Sequence, residues 1–123
     1  MPVSSLVRKR IRGLLPPGEE IGYIFPAIGG SQNLPVAQFF VVVTDASITV
    51  FHGGFWSRNR PKEVWRRFAR NTRLGPVDTN VISTFTLGGL TFEVDDEYVS
   101  VIHAADAEID SAQSLPHDPL PDL

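Results

Sequence analysis

A cluster of acidic residues is the most chemically suggestive feature of this 123-residue sequence. Three consecutive carboxylates, Asp95, Asp96 and Glu97, could hold a metal ion or transfer protons. At the start of a helix, however, the same residues cap free backbone N–H groups and complement the positive end of the helix dipole. Apolar residues at helical spacing follow them, so we favour the capping interpretation.

No other set of residues completes an active site. His52 stands alone at a predicted strand end, which is more typical of a surface histidine than of a metal ligand or base. The sequence has no cysteine, which excludes disulfides, thiolate metal sites and thiol nucleophiles. No Ser, His and Asp set can be given separate roles, and no phosphate-binding loop is present. We therefore expect no enzymatic activity, no metal and no cofactor.

The basic residues could bind an anionic partner. All eleven Lys and Arg residues fall in residues 8 to 12 and 58 to 73, and only acidic charges follow Arg73. Either the basic segments lie against the acidic half, which we favour, or they leave a free face for a membrane or nucleic acid. The candidate residues for binding a partner or an anion are Arg8, Lys9, Arg10, Arg12, Phe55, Trp56, Arg58, Arg60, Lys62, Arg66, Arg67 and Arg70.

The element that must position these residues is a predicted hairpin over residues 38 to 54. Its β-branched and aromatic residues break at a short polar turn and resume at Ile48, as in two antiparallel strands. The first strand is apolar on both faces, so we expect it to be central and covered on both sides. In the second strand we expect Val50 to face the core and Ser47 and Thr49 to face water.

Before the hairpin, residues 4 to 15 predict a short helix, because a serine can cap it and apolar residues recur at helical spacing. Its basic face could lie on an anionic membrane, but we favour packing on the domain's own surface. Residues 21 to 25 predict a first strand, and residues 28 to 35 predict a loop. The apolar stripe of the helix consists of Val7, Ile11, Leu14 and Leu15.

After the hairpin, residues 55 to 60 predict an exposed turn and residues 61 to 70 a short amphipathic helix. In that helix Trp65 and Phe68, three positions apart, would form the core face. Aromatic rings among arginines also suit single-stranded nucleic acid, where bases stack on the rings. The core-face interpretation is simpler, so we rank nucleic acid third among the candidate partners.

The C-terminal half predicts a second hairpin and a closing helix. Residues 81 to 87 and 90 to 94 have strand character, and Gly88-Gly89 between them suits a two-residue turn. Residues 96 to 110 predict a helix that covers one open side of the sheet, with Tyr98, Ile102, Ala105 and Ile109 as its apolar stripe. The proline-spaced residues 111 to 123 predict a disordered tail.

Together these elements predict an α+β, mainly β domain, built as an antiparallel sheet or partly open barrel of five to seven strands. We expect an N-terminal basic helix at residues 1 to 17, the folded domain at residues 18 to 110, and the tail after it. No apolar run approaches the roughly 20 residues of a membrane span, and the N-terminus lacks a signal-peptide core. We therefore expect a soluble, unprocessed, cytoplasmic protein.

Two motifs resemble the bacterial pleckstrin-homology-like (PH-like) domains, and the arginine-rich stretch from Pro61 to Pro76 resembles the actinobacterial type. The two motifs are Leu15-Pro16-Pro17-Gly18-Glu19-Glu20 and, about 25 positions later, the hairpin stretch Val42-Val43-Thr44-Asp45-Ala46-Ser47-Ile48-Thr49-Val50-Phe51. The resemblance extends over residues 14 to 110. Many relatives carry a basic residue just after the Thr44-Asp45 pair, where this sequence has Ala46 and Ser47.

The resemblance implies a PH-like barrel with a capping helix at residues 96 to 110, and an interaction role without catalysis. The partner would be a protein, including another copy of this chain. The alternative is peripheral attachment to anionic lipid at the inner face of the membrane through residues 8 to 12 and 58 to 70. Each basic residue near such a surface contributes about 1 kcal/mol.

Overall fold

The computed structural model describes residues 3 to 31, 34 to 54 and 63 to 114. The elements in chain order are α1 (Ser5–Leu14), β1 (Tyr23–Ser31), β2 (Leu34–Val43), β3 (Ser47–Gly54), β4 (Glu63–Ala69), β5 (Thr84–Leu87), β6 (Leu90–Glu93) and α2 (Val99–Ser114). A single 3-10 turn, Asp96–Tyr98, leads into α2. The predicted α+β, mainly β class is confirmed, with a short N-terminal helix and a C-terminal helix.

The six strands form one open antiparallel sheet in the order β4-β3-β2-β1-β6-β5. The predicted hairpin supplies β2 and β3, and β2 lies inside the sheet as expected. Side chains of β4 reach across to the last hairpin: the Trp65 ring lies 6.2 Å from that of Phe92 in β6. The Arg66 guanidinium also donates to the Gly88 carbonyl at 2.9 Å. The sheet therefore curls so that side chains of β4 contact β6 and the turn between β5 and β6.

Each face of the sheet has its own hydrophobic cluster. The inner face packs against α2, whose predicted stripe is buried and supplies Tyr98, Ile102 and Ala105 to the core. The outer face packs against α1, so the apolar residues of β2 are covered on both sides as predicted. The inner cluster includes Phe25, Phe39, Val41, Ile48, Val50, Phe85 and Phe92.

Helix α1 begins where its sequence predicts, since the Ser4 hydroxyl accepts a hydrogen bond from the Val7 N–H. Val7, Ile11 and Leu15 are buried against the outer face of the sheet. Burial of each such side chain contributes about 1.5 to 3 kcal/mol. Leu14, which we placed on the same stripe, is instead 40% exposed, because it lies one position off the buried row.

The loop predicted for residues 28 to 35 is wrong, because β1 continues through Pro26 to Ser31 and β2 begins at Leu34. Packing against a neighbouring ring explains one of the glycines in this segment. A Cβ at Gly29 would lie 2.6 Å from an edge carbon of the Phe92 ring, so only glycine lets the ring pack there.

The helix predicted for residues 61 to 70 is also wrong, because Glu63–Ala69 forms β4. In the register with β3, Val50 pairs with Arg66 and Phe51 with Val64, which leaves Trp65 as the extra residue of a β-bulge. The bulge places residues three apart on the same face of a strand. It therefore produces the spacing that we interpreted as helical.

The second hairpin is confirmed at its turn, where Gly88 and Gly89 have φ angles of +60° and +85°. Leu90, Phe92 and Val94 are buried as expected, but β5 starts at Thr84 rather than at residue 81. Val81 is 93% exposed. The apolar residues at the start of the predicted strand therefore belong to the preceding loop.

Helix α2 differs from its prediction at both ends. Asp95 occupies the N-cap position of the 3-10 turn, yet its side chain makes no capping hydrogen bond there. The helix runs to Ser114, so residues 111 to 114 are helical rather than part of a tail, and residues 115 to 123 lie outside the described residues. Asp106 anchors α2 by accepting the N–H groups of Leu74 and Gly75, both at 2.9 Å.

Candidate functional site

Strand β4 is the freer edge of the sheet. Within the described residues it pairs with β3 alone, and all seven of its side chains are exposed or half-buried. The opposite edge strand, β5, is shorter and partly occupied, because Asp78 and Thr84 exchange two backbone hydrogen bonds of 2.8 and 2.9 Å. An unpaired strand edge offers N–H and C=O groups to another chain, so β4 is the candidate site.

The direction of the backbone groups on β3 follows from the hairpin turn. The Thr44 N–H donates to the Ser47 carbonyl at 2.9 Å, so Ser47 directs its backbone groups toward β2. Because this direction alternates along an antiparallel strand, Ile48 and Val50 direct theirs toward β4.

The same alternation determines which backbone N–H and C=O groups of β4 point away from β3. Phe68 and Arg66 lie opposite the two β3 residues that face this strand, so their backbone groups are used within the sheet. Val64 and Arg67 lie opposite Phe51 and Thr49, whose backbone groups point toward β2. The N–H and C=O groups of Val64 and Arg67 therefore point outward, away from β3. The carbonyl of Ala69 is satisfied by the Thr72 N–H at 3.0 Å, which ends the free edge at that residue.

The inner face of β4 is fixed by aromatic packing. Trp65 and Phe68 are half-buried, with ring centroids 6.5 Å apart. The Arg66 guanidinium lies over both rings, 5.6 and 5.9 Å from their centroids. Cation–π contacts of this kind contribute about 0.5 to 1 kcal/mol at exposed sites, so the strand edge is held in place before any partner binds.

The outer face of β4 is fixed by Glu19, which we had not placed in any site. Its carboxylate accepts hydrogen bonds from Arg67 at 2.6 Å, from Thr44 at 2.7 Å and from Ser47 at 3.0 Å. The Arg67 bond, followed by the Thr44 bond, holds the Glu19 pKa below its ordinary value. Glu19 thus ties the turn before β1 to β3 and β4.

The prediction that Ser47 and Thr49 face water is wrong, since they are 2% and 1% exposed. The two hydroxyls lie 3.2 Å apart and share the polar cluster under Glu19. Strand alternation alone would place both hydroxyls on a solvent-exposed face of the strand, but Glu19 and Arg67 cover that face. The signal available in the sequence was the glutamate of the turn motif, an acceptor that can satisfy buried hydroxyls.

A cleft of about 310 Å³ lies at the end of the sheet where β1 begins. Its one arginine, Arg70, is turned toward α2, donating to the Ala105 carbonyl at 3.1 Å and lying 3.6 Å from the Glu108 carboxylate. A hydrogen bond to Glu108 raises the pKa of Tyr23, which also lines the cleft. Carboxylates, those of Glu20, Asp45 and Glu108, dominate the rest of the polar lining.

The predicted site residues separate into three groups. Arg8, Lys9, Arg10 and Arg12 lie on α1, and Arg66, Arg67 and Arg70 lie in or just after β4. The remaining residues, Phe55, Trp56, Arg58, Arg60 and Lys62, lie outside the described residues.

The structure partly pairs the basic and acidic segments. Arg70 lies near Glu108, and Arg73 forms an ion pair with Asp110, both partners being on α2. Arg67 instead pairs with Glu19, before the hairpin. The arginines of residues 66 to 73 therefore make contacts within the domain while β4 keeps its backbone edge.

Across residues 3 to 31, 34 to 54 and 63 to 114, no three histidine or acidic side chains are grouped to hold a metal ion. In the same part of the chain, no helix has the length and apolar character needed to cross a membrane. No protein-family model matches this sequence, and no curated protein shows significant similarity to it.

Proposed function

We propose that this protein is a non-enzymatic binding module on a PH-like scaffold, and that β4 takes up an extended segment of another protein as an added strand. The observation that carries the proposal is the preorganised edge of β4, which has no second strand partner in the part of the chain that the structure describes. Main-chain hydrogen bonds supply affinity in this mode of recognition, and neighbouring side chains supply specificity. The PH-like motifs support the scaffold assignment. A PH-like scaffold in turn supports an interaction role, because that fold commonly serves interaction.

Replacing Val64 by proline tests the edge directly. Proline removes an N–H that points away from β3, and an edge strand tolerates proline at such a position. We expect twelve-residue peptides selected from a random display library on the wild-type protein to bind the Val64→Pro variant at least tenfold more weakly. Fluorescence anisotropy measures the affinities, and Val64→Thr, which keeps the N–H, should bind like wild type.

A second readout uses the wild-type protein and therefore does not depend on how the variant folds. N-methylation of alternate peptide bonds in a selected peptide should abolish binding in one register and spare it in the other, because only one edge of the added strand meets β4. Binding that survives both N-methylated registers and the proline substitution would rule out strand addition at β4.

Peripheral attachment to an anionic membrane is the second candidate, and the exposed side of α1 favours it. Leu6 is 78% and Leu14 40% exposed, and Lys9 and Arg12 are exposed on the same helix. The main apolar stripe, however, is already buried on the sheet, so only two leucines remain for insertion.

Co-sedimentation with vesicles tests this alternative. If α1 binds the membrane, vesicles with 30% phosphatidylserine should pellet the protein at 50 mM salt, and Lys9→Glu with Arg12→Glu should abolish pelleting. The charge reversal lies on the exposed side of α1 and should leave the far-UV circular dichroism unchanged. Failure of the wild-type protein to pellet removes the membrane alternative.

A further inference from the structure

We infer that the segment received by β4 is acidic, with an apolar and an acidic side chain two positions apart on the same face, and is not a second copy of this chain. This inference rests on the proposed function and specifies its partner. It follows from the charge around the strand, from the cost of self-pairing, and from the side chains on the outer face.

The strand lies in the most basic part of the sequence. Residues 63 to 73, which the structure describes, contain four arginines and one acidic residue, Glu63. The exposed central side chains of β4 are Arg66 and Arg67. A positive field around a binding edge accelerates encounter with negatively charged segments and disfavours positive ones.

Self-pairing through this edge brings like charges together. Antiparallel pairing of β4 with a second β4 about its centre would place Arg66 and Arg67 of one copy beside the same residues of the other. Like charges directly opposite on neighbouring strands destabilise the pair. The edge is therefore protected against its own copies while it stays open to an acidic segment.

The outer face of β4 defines the side-chain pattern. Val64 is 48% exposed, and the Arg67 side chain keeps 42% of its surface exposed although it contacts Glu19. A guanidinium has five N–H donors, so one carboxylate leaves donors for a second. In the register with β3 these two residues face Phe51 and Thr49, two positions apart, so the matching apolar and acidic side chains of an added strand also lie two positions apart and share a face.

Three labelled nine-residue peptides test the inference. Every second residue in them is serine, and the remaining positions alternate between valine and glutamate, between valine and lysine, or between valine and serine. We expect the glutamate peptide to bind the full-length protein at least tenfold more tightly than the lysine peptide at 50 mM salt. At 0.5 M salt the preference should fall below threefold, because exposed charges are screened. Arg67→Gln should weaken binding of the glutamate peptide about three- to tenfold and change binding of the serine peptide by a smaller factor.

The outcomes separate this inference from the function on which it rests. Equal binding of all three peptides, lost in Val64→Pro, would keep strand addition and overturn the acidic partner. A concentration-dependent dimer in light scattering that Val64→Pro dissociates would identify a second copy as the occupant and would also overturn it. Absence of binding to all three peptides, while library-selected peptides still bind, would overturn it as well.

Discussion

Replacing Phe92 by alanine is expected to lower the free energy of unfolding by about 3 to 5 kcal/mol. Phe92 is fully buried, and its ring lies in the inner hydrophobic cluster of the curled sheet. Its centroid is 5.3 Å from that of Phe85, 5.4 Å from Phe39 and 6.2 Å from Trp65. Alanine removes these ring contacts from β2, β4 and β5 at once and leaves a cavity. Urea denaturation followed by circular dichroism at pH 7 measures the change.

The glycine beneath this ring supplies a matched test. We expect Gly29→Ala to cost about 1 to 3 kcal/mol, because the new methyl group would overlap the Phe92 ring. Phe92→Leu shortens the side chain at this contact. The double variant Gly29→Ala with Phe92→Leu should therefore lose less free energy of unfolding than the sum of the losses in the two single variants. Additive effects would show that the close contact does not constrain β1. Gly13→Ala, at an exposed helix position with open space, is the control.

The central hairpin and both terminal helices were predictable from local sequence patterns. The hairpin stretch combines β-prone residues with a polar turn, and the turn is closed by a Thr44-to-Ser47 backbone hydrogen bond. Ser4 caps α1 as its type predicts. In these segments the local preference and the tertiary contacts agree, so the sequence pattern is sufficient.

Strand β4 was not predictable in the same way, because its arginines favour a helix and its bulge produces a helix-like spacing of aromatic residues. The deciding interactions are its pairing with β3 and the packing of Trp65 on Phe92, which is 27 positions later in the chain. Such long-range contacts leave no periodic signal within the segment itself. The prediction failed at the strand that became the candidate site, although Arg66, Arg67 and Arg70 had been selected by charge.

The buried polar cluster was missed because alternation identifies the polar side of a strand but not what covers it. Ser47 and Thr49 occupy the side predicted from their types, yet Glu19 and Arg67 exclude water from it. Glu19 accepts the Ser47 hydroxyl, and the Thr49 hydroxyl lies 3.2 Å from that of Ser47. This contact depends on how the turn before β1 returns to β3.

Glu19 is the residue for which we expect the largest effect outside the hydrophobic clusters. Its side chain is only 10% exposed and joins Arg67, Thr44 and Ser47. Glu19→Ala removes the acceptor and leaves two buried hydroxyls without their charged partner, so we expect a loss of roughly 2 to 4 kcal/mol. Glu19→Gln keeps a carbonyl oxygen for the hydroxyls but not the charge for Arg67, and should lose about half as much. Glu20→Ala, at the exposed neighbouring position, is the control.

The dependence on pH follows from the lowered Glu19 pKa. The carboxyl group is more acidic in the folded than in the unfolded chain, so the unfolded chain binds its proton first as the pH falls. The ionised Glu19 carboxylate contributes fully to the free energy of unfolding above its pKa in the unfolded chain. This contribution is lost as the pH falls from about 4.5 through the lower pKa of Glu19 in the folded chain. Urea denaturation at pH 7, 5, 4 and 3 should therefore show a shallower loss of stability in Glu19→Gln than in wild type. Identical slopes in the two proteins would show that Glu19 does not hold the charge-assisted contact with Arg67.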